Sequence, residues 1–453
     1  MSKEISSRKL AAWVLTAALA ALVLLTGARA GAQRRKSAPV RRSPATASRP
    51  PASVKAAPPA AINPKTAAVR EATAEVLQET SELRKLSVLR PVRSGAQSRA
   101  EIEQMLIRNL NESSTPEEMR ASELVLKKLG LAPADFELRP FIIKLLTEQV
   151  AGYYEPKTQE FYLADWIDID GQKPVMAHEL THALQDQHFN LRRFENWPKH
   201  DSDAELATHS LVEGDASFLM IQYVVRNPAR QLAFMSSMGA TGGDATEQID
   251  KAPRVLRDTL LFPYFQGMAW VSGVYRDGGW DAVSAAYTDL PKSTEQILHN
   301  DKYAAHEAPV KVTLRDISAS LGRGWKMADN DVEGEWGYYL MLDQILESPD
   351  VSKKAAAGWG GDRYALFTGP RPADVLVAQK AVWDTETDAR EFFDAYVART
   401  SKRYGVGPSS SDGERSFWNT SEGGALVEIS GKTVLILEGV PDGTDAHALA
   451  AAL

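Results

Sequence analysis

At residues 175–184 the chain reads Val175-Met176-Ala177-His178-Glu179-Leu180-Thr181-His182-Ala183-Leu184, which contains the pattern His-Glu-x-x-His. On a helix, His178 and His182 lie one turn apart on the same face, so both imidazoles can reach one ion. Glu179 is rotated by about 100° from His178 and can lie beside that ion, where a base must be if it is to deprotonate a water. The pattern therefore predicts a zinc site on a helix.

The neighbours of these histidines are apolar nearly all round the predicted helix. Such a pattern is typical of a buried helix. The alternative to a zinc site is a buried helix whose two histidines only form hydrogen bonds within the core. It is disfavoured because two unpaired imidazoles would be costly in apolar surroundings.

A catalytic zinc needs a third protein ligand and one open position. The next predicted helix, about residues 204–225, offers three residues spaced by four on one face: Glu205, His209 and Glu213. We favour Glu213, because a lone carboxylate would be costly in its apolar surroundings, and because Gly214 and Ala216 permit two helices to approach closely. Glu205 is nearer the polar start of the helix, and His209 is either the ligand itself or a partner of one.

Asp215 lies two positions beyond Glu213 and points to another side of the same predicted helix. Two roles are open for it. It either orients a ligand histidine from behind or only pairs with a basic neighbour.

The motif His178-Glu179-Leu180-Thr181-His182, followed on the next predicted helix by Glu-Gly-Asp-Ala, resembles the gluzincin branch of the zinc metallopeptidases, the peptidase-MA-like group. Val150-Ala151-Gly152-Tyr153-Tyr154 with its predicted hairpin, over about residues 151–163, also resembles exported bacterial proteins of that group. The resemblance spans about residues 147–303. The gap from His182 to Glu213 is longer than in thermolysin-like members.

The resemblance implies a zincin-like α+β catalytic domain with His178, His182 and Glu213 as ligands of one Zn²⁺ and Glu179 as general base. Zinc peptidases place a His or Tyr from a later segment near the oxyanion. His299 is our first choice for that role and Tyr303 our second. The alternative is that this later segment is only a structural turn.

Residues 1–30 have the organisation of an export signal, in which basic residues precede the apolar run 10–25 and Ala28-Arg29-Ala30 forms a cleavage pattern. The protein is therefore expected in the periplasm or outside the cell. An uncleaved anchor at residues 10–26 is the alternative. Residues 31–70 contain seven prolines, nine basic residues and no acidic one, which predicts a disordered linker. We favour a linker that is simply solvated, and contact of its basic residues with the cell envelope is the alternative.

Residues 71–453 carry 39 basic and 58 acidic residues, so nucleic-acid binding by this part is not expected. The chain has no cysteine, which excludes disulfides and thiol chemistry. We predict a catalytic domain over 71–309, with 71–146 as a mostly helical lead-in that could act as a propeptide. A small α+β module is expected over 310–453, with a turn at 358–364 and a hairpin around Ser430-Gly431-Lys432.

These observations favour a zinc-dependent hydrolase of peptide bonds whose partner is a peptide or protein substrate. A non-catalytic envelope scaffold or binding protein on a zincin-like fold is the alternative. Glu179 argues against the scaffold, because a purely structural metal site does not require a base beside the ion.

Overall fold

The computed structural model describes residues 64–194, 198, 200–232, 234, 249 and 251–453. The predicted export signal, most of the predicted linker and most of residues 233–250 lie outside these ranges. Among the described residues, no helix combines the length and the apolar character needed to cross a bilayer.

The fold is mixed α+β, and its first part is mostly helical. The helices there are α1 (Thr66–Arg84), α2 (Arg99–Ser113), α3 (Pro116–Lys128), α4 (Leu138–Gln149), α5 (Ile169–Phe189), α6 (Ser202–Val225), α7 (Arg254–Phe262), α8 (Met268–Ala286), α9 (Thr294–Leu298) and α10 (Asn300–Ala304). A π-helical turn, Pro263–Gly267, joins α7 to α8. Helix α1 begins at Thr66, inside the stretch predicted as linker.

Helix α5 carries the His-Glu-x-x-His motif. The Asp168 side chain accepts a hydrogen bond from the Gly171 backbone N–H at its first turn, and Asn190 ends it in the left-handed conformation. Helix α6 begins one residue after Asp201, whose side chain accepts from the Ala204 N–H. Residues 174–186 of α5 are all buried, as the apolar neighbours of the motif predict.

A three-stranded sheet lies against α5. Its order is β1 (Arg93–Gln97), β3 (Glu160–Ala164) and β2 (Gly152–Glu155), with β1 parallel and β2 antiparallel to β3. The hairpin of β2 and β3 confirms the one predicted near residues 151–163. Strand β1 was not expected, because its five residues have little apolar alternation and lie in the lead-in predicted as helical.

The second part of the chain is built on an antiparallel sheet. Its strands are β4 (Lys326–Asp331), β5 (Trp359–Thr368), β6 (Val375–Trp383), β7 (Ser410–Ser411), β8 (Arg415–Thr420), β9 (Gly423–Ser430) and β10 (Thr433–Val440), in the spatial order β4-β5-β6-β10-β9-β8-β7. Its helices are α11 (Ser318–Leu321), α12 (Gly334–Leu346), α13 (Pro349–Ala356), α14 (Glu386–Tyr404) and α15 (Ala446–Ala452).

The predicted hairpin around Ser430-Gly431-Lys432 is confirmed by the pairing of β9 with β10. The turn predicted at 358–364 is wrong, because this stretch begins strand β5. Its glycines serve a bulge between Trp359 and Gly361 rather than a chain reversal. A Cβ on Gly361 would lie 2.2 Å from the carbonyl oxygen of Val310, so the glycine lets two backbones meet.

The lead-in helices are packed into both parts of the molecule. Helix α1 contributes to the core that contains α5 and α6, whereas Val125 of α3 and the following Leu129 belong to the core of the second part. The guanidinium of Arg399, on α14, donates to the Leu129 carbonyl. The Lys128 ammonium donates to the Glu422 carbonyl at 3.2 Å. Residues 71–146 are therefore not a separate layer.

Candidate metal centre

Three side chains from α5 and α6 converge on one point. The Nε2 atoms of His178 and His182 are 3.1 Å apart. One carboxylate oxygen of Glu213 lies 3.1 Å from His178 Nε2 and 3.5 Å from His182 Nε2. All three side chains are buried. Four-residue spacing on α5 and the packing of α6 against it produce this arrangement.

These three atoms fit a zinc ion in type and in spacing. Imidazole nitrogen and carboxylate oxygen are ordinary zinc ligands, at about 2.0–2.2 Å from the ion. Tetrahedral geometry with such bonds puts ligand atoms about 3.3–3.6 Å apart. The observed separations of 3.1–3.5 Å are close to that range.

The electrostatics of the three side chains favour positive charge between them. Burial opposes the ionised form of Glu213, but the facing His182 and His178 outweigh it and lower the Glu213 pKa. Burial alone would lower the pKa of His182, yet Glu213 and then Glu179 raise it to about 9. The pKa of His178 is lowered, mainly by burial. A divalent ion would supply the positive charge that this site favours.

Glu179 lies beside this group and is held by strand β2. One of its carboxylate oxygens accepts a hydrogen bond from the Tyr154 backbone N–H at 3.0 Å. The other is buried and has no hydrogen-bond partner in the described part of the chain. Burial, assisted by the negative charge of Glu213, raises the pKa of Glu179 to about 8. A divalent ion bound nearby would lower this pKa, and the oxygen without a partner is then the atom that can accept a proton.

Gln185 fixes the orientation of the His182 ring. Its amide nitrogen donates to the Val212 carbonyl at 3.0 Å and to Asp215 at 3.1 Å, so its oxygen is the atom that faces His182. That oxygen accepts from His182 Nδ1 at 2.8 Å. The proton on Nδ1 leaves the Nε2 lone pair directed at His178 and Glu213.

Asp215 anchors Gln185 from behind and combines both roles that the sequence left open. It accepts two hydrogen bonds from Arg84, at 2.7 and 3.0 Å, and a third from the Tyr287 hydroxyl at 2.9 Å. It therefore pairs with a basic residue and orients a histidine through Gln185. Arg84 is fully buried and comes from α1, at the end of the lead-in's first helix.

Tyr264 is a site residue that the sequence did not reveal. It is buried, its ring stacks on His178 with centroids 6.1 Å apart, and its hydroxyl interacts electrostatically with Glu213. Burial, followed by the charges of Glu213 and Glu179, raises its pKa well above the ordinary value. The sequence predicts no more than a core position for Tyr264, because nothing in its own stretch of chain relates it to α5.

Two glycines bring the π-helical turn, and with it Tyr264, against α6. A Cβ on Gly214 would lie 2.3 Å from the Gly267 carbonyl carbon, and a Cβ on Gly267 would lie 2.2 Å from the Ser210 carbonyl oxygen. Neither backbone can move aside cheaply. The close approach expected from Gly214 is therefore present, with the π-helical turn as the neighbour.

His299 and Tyr303, predicted near the oxyanion, have other partners. His299 Nε2 lies 2.9 Å from Glu335, and the Tyr303 hydroxyl donates to the Asp289 carbonyl at 2.8 Å while its ring packs on Trp270. Within the described residues, neither side chain has a hydrogen bond, ion pair or ring contact with the three converging side chains or with Glu179.

Glu205 and His209, the other two residues considered as third ligand, lie outside the converging group. Both line a cavity that also reaches Glu213. Burial lowers the pKa of His209 to about 4, so this imidazole is neutral near pH 7.

Part of the chain matches a known family. The model of a family described as Domain of unknown function (DUF8575) matches residues 323–450, which hold the antiparallel sheet of the second part. No curated protein matches the chain. No solved structure matches it.

Proposed function

We propose that this chain is a zinc-dependent peptidase of gluzincin type that acts outside the cytoplasm, with a zincin-like catalytic domain in its first part. The observation that carries the proposal is the meeting of His178, His182 and Glu213 in one buried group, with Glu179 beside it. A structural zinc site is normally closed by four protein ligands. Three ligands with an adjacent carboxylate are the arrangement of a catalytic site.

The chemistry is divided between the ion and the chain. Zinc, when bound, makes a water more acidic and polarises a carbonyl oxygen. Glu179 accepts the proton of the attacking water at its free carboxylate oxygen and then delivers it to the nitrogen of the cleaved bond. The Tyr154 N–H holds the other oxygen, so that the carboxylate keeps one orientation.

Tyr264 takes the role for which His299 and Tyr303 were expected. Its hydroxyl is adjacent to Glu213, and burial together with two nearby carboxylates keeps it protonated. A protonated hydroxyl can donate a hydrogen bond to an oxygen that becomes negative during the reaction. The substrate backbone would approach along β2, which is an edge strand of its sheet.

The test compares the full chain with its Glu179→Gln variant. Both proteins are purified gently, zinc is measured by mass spectrometry of the metal, and hydrolysis is followed with unfolded, fluorescently quenched casein. We expect about one zinc per chain in both. Hydrolysis should fall by about 10²–10⁴-fold in the variant, which lacks the proton acceptor.

Two results would contradict the proposal. Wild-type protein that binds no zinc removes its basis. Zinc-loaded wild-type protein that hydrolyses no peptide bond would instead support the non-catalytic scaffold, for which an intact Glu179 has no function.

A further inference from the structure

A cavity of about 260 Å³ reaches the three converging side chains from the side of Glu213. Glu213 lies in its wall, whereas His178, Glu179 and His182 are not among the residues that form it. One carboxylate oxygen of Glu213 faces the two histidines, and the other is buried and accepts no hydrogen bond from the described residues. The cavity therefore ends at a ligand of the proposed ion and not at the carboxylate proposed as the base.

One face of α6 runs along this cavity. Glu205, His209 and Glu213 all lie in the wall and follow one another at intervals of four residues. On a helix that interval corresponds to about 6 Å, at about 1.5 Å per residue. Glu205 is half-buried, whereas His209 and Glu213 are buried, so the series leads from near the surface to the converging side chains. Carboxylate oxygen and imidazole nitrogen are both ordinary zinc ligands.

The wall of the cavity is acidic as well as apolar. It contains four carboxyl groups, those of Asp203, Glu205, Glu213 and Glu333, and no lysine or arginine of the described residues lies in it. Asp203 contributes least charge, because burial raises its pKa well above the ordinary value and Thr294 donates to both of its oxygens. The apolar walls come mostly from α3, α4 and α7. Charges of one sign between such walls concentrate ions of the other sign, because the low dielectric focuses their field.

The proposed zinc ligands are closed off from solvent. His178 and Glu179 have no exposed surface, and His182 and Glu213 are 2% and 3% exposed. An ion that arrives after folding therefore needs a passage, and a metal site is complete only when it has one. The cavity provides such a passage as far as Glu213, and Glu205 and Glu333 are half-buried at its wall.

We infer that this cavity is the path by which the zinc ion reaches its site. Glu205 and Glu333 attract the ion from solvent, and His209 binds it transiently one helical turn before Glu213. A transit ligand of this kind must bind the ion well enough to draw it in and weakly enough to let it pass. This assignment rests on the zinc site of the proposed function and not on the hydrolysis of peptides.

The experiment measures metal uptake and release by the full chain. Metal-free protein is mixed with Co²⁺ in a stopped-flow spectrometer, where visible absorbance reports the arrival of the ion among its ligands. Release is followed after zinc-loaded protein is transferred into an excess of a coloured chelator. Competition with a zinc-sensitive dye gives the Kd. Because a path only connects the site with solvent, its variants should slow uptake and release together and change the Kd little.

Two variants address the path. Glu205→Gln combined with Glu333→Gln should slow uptake by at least about 10-fold, at the low end of what charge focusing supplies. Added salt should slow uptake by wild type more than by this double variant, because salt screens the charges that were removed. His209→Leu should slow uptake and release by similar factors. Glu117→Gln is the matched control, because Glu117 is exposed on α3 and lies outside the wall, and its rates should equal those of wild type.

The results distinguish a failure of the path from a failure of the peptidase. Unchanged rates in the double variant overturn the path and leave the peptidase, with the ion entering elsewhere. Faster release with a raised Kd in His209→Leu also overturns it, because His209 would then be part of the site. If His209→Leu does not fold, the double variant at half-buried positions decides alone. Wild-type protein that takes up neither ion overturns both proposals, whereas zinc-loaded protein without hydrolysis overturns only the peptidase.

Discussion

Among the residues that the structure describes, two groups of side chains each bring three potential metal ligands within 4.8 Å of one another, and the two groups differ in what lies between the ligands. One is formed by His178, His182 and Glu213. The other is an acidic group formed by Glu295, Glu307 and Asp384. In the acidic group the Lys302 ammonium lies 2.7, 2.9 and 2.6 Å from the three carboxylates.

The acidic group therefore already contains its cation. Burial opposes the charge of Lys302, but hydrogen bonds to the three carboxylates outweigh it and raise the lysine pKa. In the histidine group, no lysine or arginine of the described residues pairs with Glu213, and the buried guanidinium of Arg84 is paired with Asp215. Closely spaced ligand atoms therefore indicate a metal site only where no side chain already supplies the positive charge between them.

The strongest test of this contrast removes a ligand. Glu213→Ala should reduce bound zinc from about one per chain to near zero and abolish hydrolysis. Only two imidazole ligands would remain, whereas a catalytic zinc needs three protein ligands. His209→Ala, on the same helix, should keep its zinc. Metal analysis after gel filtration measures both, and loss of zinc from His209→Ala alone would move the third ligand to that histidine.

Tyr264→Phe tests the residue that the structure adds to the histidine group. Zinc should stay bound, whereas hydrolysis should fall by about 10²–10³-fold if the hydroxyl stabilises the developing negative charge. His299→Ala is the comparison, and its turnover should equal that of wild type because His299 pairs with Glu335. The reverse result would restore His299 to the role expected from the sequence.

Lys302→Met removes the cation from the acidic group. Glu295 is buried and would lose its ionic partner, so the free energy of unfolding should fall by about 2–3 kcal/mol. The loss is smaller than for a fully buried ion pair, because Glu307 and Asp384 are partly exposed. The zinc content should not change. Urea unfolding measures the effect, and Lys353→Met, at an exposed position, is the control. If Lys302→Met bound a second zinc, the acidic group would also be a metal site once its lysine is removed.

The smallest expected effect concerns the support behind His182. Gln185→Met should weaken zinc binding by about 10–100-fold, because the Nδ1 proton loses its acceptor and the ring its fixed orientation. Gln172 lies on the same helix, and its Oε1 atom accepts no hydrogen bond from the described residues. Gln172→Met should therefore leave the zinc affinity unchanged. Competition with a zinc-sensitive dye gives the affinities, and equal values for the two variants would show that Gln185 does not support the site.

The sequence predicts local features of this molecule well, and contacts between distant elements poorly. His178 and His182 face one point because helical periodicity alone puts them there, and the apolar surroundings of Glu213 single it out on α6. Tyr264 could not be found in this way. Its position depends on the contact of Gly214 with Gly267, two residues that no periodicity relates.

Strand β5 shows the same limit. Gly358-Trp359-Gly360-Gly361 has the composition of a turn, and only the neighbouring strands turn it into a bulged strand. The roles of the lead-in were also hidden, because Arg84 reaches Asp215 across 131 residues. Burial of that guanidinium needs a partner that the local sequence does not show.

The Arg84–Asp215 pair also has a consequence for synthesis. During translation Asp215 is added 131 residues after Arg84, and Arg399 is added 270 residues after Leu129. Neither hydrogen bond can form before the later residue has been made. Helix α1 therefore cannot reach its final packing before α6 is made, and the end of α3 cannot do so before α14 is made. We expect slow, late-completing folding, with apolar surface of α1 and α3 exposed to chaperones in the meantime.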